Sequence, residues 1–188
     1  MPTEAADARL LDASGASVRV ASLWGRGPCL LVLLRHFGCI GCAEQMLDLA
    51  PRLQELARIG VRTVLVGNGS LEHRAGFVER NALEGAPVEV LVDPSLELYR
   101  ALHLVRSAWA TVGPRAIRDA ARAFAGGLPH GHVEGDRTQQ GGVLFVDAQG
   151  VVRLYRRSRS IGDHPPASDL VEVALKSALE GKSVTTLV

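Results

Sequence analysis

Two cysteines are separated by two residues in the segment Cys39-Ile-Gly-Cys42, shortly after a strongly apolar run. Residues three apart on a helix have Cβ atoms about 5–6 Å apart, and a disulfide needs Cα atoms about 4.4–6.8 Å apart, so this pair can close with little movement. A thiol at the start of a helix also faces unpaired N–H groups, which stabilise its thiolate. The spacing favours a redox-active dithiol in which Cys39 attacks and Cys42, predicted to be the more buried, resolves the intermediate.

A lowered thiol pKa explains only part of a fast reaction. A fall from about 8.5 to about 7 raises the thiolate fraction at pH 7 from roughly 3% to roughly 50%. The lower basicity removes about 5-fold of nucleophilicity, which leaves a net gain of about 3-fold. A fast peroxidase therefore also needs a group that stabilises charge developing on the peroxide. Arg35 is the nearest candidate in the sequence, and Arg153, Arg156 and Arg157 are candidates from a later strand.

Other interpretations of the cysteines and the neighbouring histidine stay open. His36 either lies beside Cys39 and tunes its proton or is a packed strand histidine. A zinc half-site of the two cysteines and His36 would need a second pair of ligands, for which His130-Gly-His132 is the only candidate. The pair could also be inert core residues, which is the expectation for Cys29 at the start of a strand.

The composition predicts one domain and excludes several classes of protein. The chain has 188 residues, of which 47% are hydrophobic, 4% are aromatic and three are cysteines, with a net charge of +1. A chain of this size can bury about 70% of its surface in one core. The charge and the scarcity of aromatics argue against nucleic-acid binding. With an odd cysteine count, no basic signal region and no long apolar run, we expect a cytoplasmic protein without a membrane partner.

Hydrophobic periodicity predicts the element order β-β-β-α-β-α-β-α, then an inserted segment, then β-β-α. Strands that alternate with helices indicate an α/β fold with a mixed central sheet flanked by helices. A helix after Gly41 should reach Ile59 with a kink at Pro51, and Asp93 should cap a helix over Pro94–Leu104. The other predicted elements are an N-terminal hairpin over Leu10–Ala21, strands at Leu30–Leu34, Val61–Val66, Val88–Val92, Gly142–Val146 and Val151–Tyr155, and helices at Leu71–Leu83 and Asp169–Leu179.

One segment, Ser107–Gln140, fits this pattern least well. We predict one helix near Arg115–Phe124 and then a loop over Gly126–His132. A loop of this length in a compact domain is either functional or mobile. The segment is therefore treated as an insertion in a single domain that spans residues 1–188.

The segment Leu33–Cys42 resembles the active-site segment of the peroxiredoxin-like 2 proteins, which belong to the AhpC/TSA antioxidant group of the thioredoxin superfamily. Three further segments agree with that family: Leu91–Arg100, Gln140–Asp147 and Arg157–Pro165. The resemblance covers roughly residues 8–180. It implies a thioredoxin-like fold with Cys39 in the nucleophilic position and Cys42 in the resolving position.

The same resemblance implies a thiol oxidoreductase that reduces a peroxide or an endoperoxide and is reset by a dithiol protein or a low-molecular-weight thiol. The expected site is Cys39 and Cys42 with Arg35, His36 and Arg156, with no cofactor and no metal. A homodimer is left open. The alternatives are a thioredoxin-like disulfide reductase and a redox sensor without turnover.

Several positions depart from the pattern of the wider superfamily, and two of them concern the expected active site. Typical peroxiredoxins carry Thr or Ser three residues before the nucleophilic cysteine, where this chain has His36. Thioredoxins carry a cis-proline before a late strand, where this chain has Gly141 and Gly142. The hydroxyl that aligns a peroxide is therefore absent from its usual position.

Overall fold

A seven-stranded mixed sheet forms the centre of the molecule. The computed structural model describes residues 1–114, 117, 118, 121, 125 and 135–183. The strands are β1 (Arg9–Leu11), β2 (Ser17–Arg19), β3 (Cys29–Leu33), β4 (Arg62–Gly67), β5 (Val88–Val92), β6 (Gly142–Val146) and β7 (Val152–Arg157). Their order is β2-β1-β5-β4-β3-β6-β7, in which β3, β4 and β5 are parallel and the outer pairs are antiparallel. The predicted N-terminal hairpin is confirmed as an extension of the sheet beside β5.

Helices cover both faces of this sheet. They are α1 (Thr3–Asp7), α2 (Ile40–Leu49), α3 (Leu53–Arg58), α4 (Leu71–Arg80), α5 (Glu97–Ala101), α6 (Trp109–Val112) and α7 (Ala167–Ser183), with short 3-10 turns at Val20–Leu23 and Ala50–Arg52. The predicted kink is confirmed, because the turn that contains Pro51 separates α2 from α3. A proline removes one helical N–H donor and clashes with the preceding turn, so the helix breaks there.

Alternate side chains of β3 enter two separate cores, as expected for a strand buried on both faces. Leu30 and Val32 pack in the core that α2, α3, α4 and α7 cover, and Leu31 and Leu33 pack in the core that α1 and α5 cover. All five residues of β3 are buried. The strand is therefore fixed in position, and so is the segment that leaves its carboxyl end.

The helix predicted over Pro94–Leu104 is shorter than expected. It begins at Glu97, because Leu96 has a left-handed φ of 57° and cannot extend the helix backwards. The Asp93 carboxylate accepts the N–H groups of Glu97 and Leu98 at 3.1 and 2.9 Å, so it satisfies donors of the first turn. The N-cap residue is Leu96, however, so the predicted N-cap position and helix start were both wrong.

The ends of the predicted insertion lie side by side. The Ser107 N–H donates to the Thr138 carbonyl at 2.9 Å, and the Gln140 N–H donates to the Val105 carbonyl at 2.8 Å. Much of the predicted helix at Arg115–Phe124 and all of the loop at Gly126–His132 lie outside the described residues. The interpretation of this segment as an insertion in one domain stays a prediction.

Gly141 allows β6 to approach β3 closely. A Cβ atom on Gly141 would lie 2.2 Å from the Leu33 carbonyl oxygen, inside the contact distance of real atoms. Because the clash is with backbone, we expect Gly141→Ala to lower the free energy of unfolding by about 1–3 kcal/mol in urea titrations. Gly25→Ala is the control, since its Cβ would lie 3.7 Å from the Ser22 carbonyl oxygen, an ordinary contact distance. Equal stabilities of the two variants would contradict the prediction.

Candidate active site

The two cysteines lie at the carboxyl edge of the parallel strands. The chain leaves β3, passes through residues 34–38 and enters α2, for which Cys39 is the N-cap residue. The carboxyl edge of parallel strands is the usual place for a functional site in an α/β sheet. Cys39 and Cys42 are free thiols with only 5% and 4% of their surface exposed. Their burial is therefore almost equal, and the expected greater burial of Cys42 amounts to a very small difference.

Arg35 contacts both sulfur atoms. Its Nη1 donates to the Cys39 Sγ at 3.3 Å, and its backbone N–H donates to the Cys42 Sγ at 3.3 Å. Its Nη2 donates to the Arg137 carbonyl at 2.8 Å. The side chain is only 5% exposed, so its charge acts on the sulfurs with little screening by water. The structure thus brings together three of the five residues that the sequence predicted.

The two thiols have opposite pKa shifts. A hydrogen bond from the Cys42 thiol and the charge of Arg35 lower the pKa of Cys39 from 9.0 to about 6, against the opposing effect of burial. The same hydrogen bond, burial and the neighbouring Cys39 charge raise the pKa of Cys42 well above 9.0. These shifts favour ionisation of Cys39 and retention of the proton on Cys42. Burial raises the pKa of Cys29 to about 12, so this third thiol stays protonated.

The ultraviolet absorbance of the thiolate should report this assignment. At a pKa of about 6, Cys39 is about 90% ionised at pH 7. We expect one thiolate to titrate with a midpoint near that pKa when the absorbance at 240 nm is followed from pH 4 to pH 8. The same step should be missing in Cys39→Ser. A midpoint near that of a free thiol, or a step that persists in the variant, would contradict the assignment.

His36 is buried, and its hydrogen bond to the site comes from its backbone. Its carbonyl accepts the Cys39 N–H at 3.1 Å, while the ring atom Nδ1 has no hydrogen-bond partner among the described residues. Burial, assisted by the charges of Arg35 and Arg137, lowers the pKa of His36 to about 4. The ring is therefore neutral at pH 7. These contacts favour the packed histidine over a ring that tunes the proton of Cys39.

Arg156 lies near the site but pairs with a carboxylate. Its Nη2 is 3.1 Å from the Asp163 Oδ1, and 46% of its side chain is exposed. No hydrogen bond between described residues joins Arg156 to either sulfur. Its predicted action on the thiolate is therefore not supported by a contact.

Two residues that the sequence did not single out hold the edge of the sheet. The Tyr99 hydroxyl is buried, 2.6 Å from the Leu34 carbonyl and 2.8 Å from the Val66 carbonyl. The Asn68 Nδ2 donates to the Arg35 carbonyl, and its Oδ1 accepts the Asp136 N–H at 2.9 Å. Both residues join segments that are distant in sequence, so local periodicity carried no signal of their roles.

A small cavity lies beside Cys42. Its volume is about 20 Å³, which is room for about one water molecule. We call it the thiol cavity; it is lined by Leu33, Arg35, Gly41, Cys42, Gln45, Gly141, Ser158, Ser160, Gly162, Asp163 and His164. Five of these residues, Ser158, Ser160, Gly162, Asp163 and His164, belong to the segment Arg157–Pro165, which the sequence analysis identified by its resemblance to the family. The structure shows that this segment forms a wall of the site.

The described residues form neither a metal-ligand cluster nor a membrane-spanning helix. No group of three or more His, Cys, Asp or Glu residues in that part of the chain could hold a metal ion. His130 and His132, the remaining pair in the zinc alternative, lie outside the described residues. None of the described helices combines the length and the apolar character that crossing a bilayer requires.

The architecture is a thioredoxin-like α/β fold with a mixed sheet flanked by helices, and it is similar to solved peroxiredoxin structures. The bacterioferritin comigratory protein of Xanthomonas campestris superimposes with a TM-score of 0.66 at 14% identity, over 95% of this chain and 96% of that chain. Peroxidoxin BcpB of Mycobacterium tuberculosis gives a TM-score of 0.63 at 15% identity, over 90% and 92% of the two chains. The predicted fold class is confirmed.

Sequence comparison places the chain in a family. A model of the AhpC/TSA antioxidant enzymes matches residues 48–160, and human prostamide/prostaglandin F synthase is 34% identical over 85% of this chain and 81% of its own. Mouse peroxiredoxin-like 2C is 29% identical over 92% and 80% of the two chains, and a chloroplastic thioredoxin-like protein AAED1 of Arabidopsis thaliana is 28% identical over 87% and 68%. The chain belongs to the AhpC/TSA antioxidant enzyme family, and the resemblance to the peroxiredoxin-like 2 proteins is confirmed. The family match begins after the cysteine pair, so the roles of Cys39 and Cys42 depend on the geometry of the site.

Proposed function

We propose that this protein is a thiol-dependent peroxide reductase in which Cys39 is the nucleophile and Cys42 the resolving thiol. The observation that carries the proposal is the contact of Arg35 with both sulfurs, together with their opposite pKa shifts. One sulfur is ionised and ready to attack, and the other holds a proton. The family assignment supports the same chemistry.

In the first step the Cys39 thiolate attacks the terminal oxygen of a hydroperoxide. A sulfur–oxygen bond forms as the oxygen–oxygen bond breaks, and the leaving oxygen takes a proton and departs as an alcohol or water. Cys39 becomes a sulfenic acid. The Arg35 guanidinium is the charged donor at this sulfur, so it can stabilise the negative charge that moves onto the leaving oxygen.

In the second step Cys42 must lose its proton, and the first step makes this easier. The hydrogen bond to Cys39 and the Cys39 charge both raise the pKa of Cys42. Both effects end when the thiolate becomes a neutral sulfenic acid, whereas the Arg35 charge and backbone N–H still favour a Cys42 thiolate. Cys42 then attacks the Cys39 sulfur, the disulfide forms, and the oxygen leaves as water. An external thiol reductant supplies the two electrons that restore the dithiol.

Endoperoxide reduction is a second candidate for the same site. The observation that favours it is the 34% identity with human prostamide/prostaglandin F synthase over most of both chains. The same thiolate would attack one oxygen of the cyclic peroxide, and transfer of two electrons and two protons would give a diol.

We further propose a dithiol protein or a small thiol as the reductant and the cytoplasm as the location. One relative is named as chloroplastic.

The experiment that tests the proposal is a turnover assay with two kinds of substrate. Reduced protein is supplied with dithiothreitol and either cumene hydroperoxide or insulin disulfides. We expect peroxide consumption well above the rate of dithiothreitol alone and no acceleration of insulin reduction. Insulin reduction without peroxide consumption would show a disulfide reductase instead. Formation of the disulfide with no turnover by any thiol would show a redox sensor.

A further inference from the structure

A larger cavity adjoins the thiol cavity, and three of its six lining residues are arginines. Its volume is about 460 Å³, and we call it the arginine cavity. Its lining residues are Val105, Tyr155, Arg156, Arg157, Arg159 and Asp163. This volume lies within the range of pockets that bind small organic molecules.

The two cavities share one stretch of chain as their wall. Ser158 and Ser160 line the thiol cavity, whereas Arg157 and Arg159 line the arginine cavity, and Asp163 lines both. The two cavities therefore meet at the segment 157–163, so a molecule bound in the arginine cavity would lie next to the cavity of Cys42.

The charge of the arginine cavity is strongly positive. Three guanidinium groups face one carboxylate, that of Asp163, which pairs with Arg156 at 3.1 Å and also accepts the Arg159 N–H at 2.8 Å. Arg157 donates to the His103 carbonyl at 3.2 Å. A carbonyl has no net charge, so this hydrogen bond does not neutralise the positive charge of Arg157. The Arg159 guanidinium makes no hydrogen bond or ion pair with the residues that the structure describes.

The remaining lining is apolar and aromatic. The Tyr155 hydroxyl is used in a bond to the Leu102 carbonyl, so the ring is held in place while 41% of the residue is exposed. The Tyr155 ring and Val105 together form an apolar surface that a hydrocarbon chain could contact. The guanidinium groups beside it are of the type that binds carboxylates through paired hydrogen bonds.

We propose that the arginine cavity binds the carboxylate of an organic molecule whose reactive group, a peroxide or a thiol, reacts with the neighbouring cysteines. The inference depends on the proposed function, because that function supplies the reaction. The carboxylate belongs either to the peroxide substrate or to the thiol reductant. Arg157 and Arg159 hold the carboxylate, and Tyr155 and Val105 contact the attached hydrocarbon.

Binding is tested first without any reaction. The reduced protein is titrated in a calorimeter with 3-phenylpropionate and with the uncharged 3-phenylpropanamide. We expect the acid to bind at least about 10-fold more tightly than the amide. The preference should vanish in the double variant Arg157→Gln/Arg159→Gln and persist in Arg58→Gln, which removes an exposed arginine outside this cavity. Equal affinities for acid and amide, or a preference that survives in the double variant, would overturn the inference.

Kinetics then identify the source of the carboxylate. The substrate arm compares linoleic acid hydroperoxide with its methyl ester, and the reductant arm compares 3-mercaptopropionate with its methyl ester. Each acid-to-ester rate ratio is compared between wild type and the double variant, so the intrinsic reactivities of the compounds cancel. We expect the ratio to fall about 10-fold in one arm.

The two proposals can fail separately. Unchanged ratios in both arms, with normal peroxide turnover, would overturn the inference and leave the proposed function intact. Arginine-dependent binding of the acid, with no turnover of any peroxide, would instead reject the proposed function.

Discussion

Replacing Cys39 by serine should remove peroxide reduction almost completely, by at least about 10³-fold in the rate of peroxide consumption. A serine hydroxyl is not ionised at pH 7, so the Arg35 guanidinium would face a neutral oxygen in place of a thiolate. The rate is measured by stopped-flow mixing with hydrogen peroxide and again at steady state with dithiothreitol. Circular dichroism spectra of the variant should match those of the wild type.

Cys42→Ser is the matched control for this prediction, because it makes the same replacement of sulfur by oxygen at the other cysteine of the pair. The first step should survive in this variant and leave a sulfenic acid on Cys39 that a dimedone-type probe labels. The disulfide should not form. A Cys39→Ser protein that consumes peroxide at the wild-type rate would show that another group is the nucleophile.

Replacing Arg35 by methionine should have the second largest effect. The loss of one charged donor at the reacting atoms is expected to lower the rate of the first step by about 10²–10³-fold. It should also raise the pKa of Cys39, since the Arg35 charge and hydrogen bond both lower it. Stopped-flow rates and the thiolate absorbance at 240 nm give the two quantities on the same samples.

Arg35→Lys separates charge from geometry in this prediction. An ammonium group can restore the positive charge, but it cannot reproduce the fork that reaches the Cys39 sulfur and the Arg137 carbonyl together. We expect the lysine variant to recover much of the lowered pKa and less of the rate. Wild-type rate and pKa in the methionine variant would contradict the role assigned to Arg35.

The sequence was most informative where the local pattern was strong. The continuous apolar run at β3, the apolar spacing of α2 and α3 and the break at Pro51 each depend on residues that are neighbours in sequence. The cysteine pair and Arg35 are likewise close along the chain, so their contact follows from the start of α2 at the end of β3. These features predicted the fold class and three of the residues at the site.

The rest of the site depends on contacts between distant segments. Asn68 lies more than thirty residues from Arg35, and the segment at Asp163 reaches Cys42 only because β7 returns beside β6. Arg156 and His36 were assigned from residue type, which does not show that one pairs with a carboxylate and the other is buried and neutral. The start of α5 was missed because the left-handed backbone at Leu96 has no signature in its side chain.

The most direct test of the proposed chemistry is rapid mixing of the reduced protein with one equivalent of hydrogen peroxide, followed by alkylation and intact mass spectrometry. We expect a loss of about 2 Da within seconds, with Cys39 and Cys42 joined in one peptide pair and Cys29 still free. Oxidation no faster than that of a free thiol, or a disulfide that includes Cys29, would contradict the assignment of nucleophile and resolving thiol.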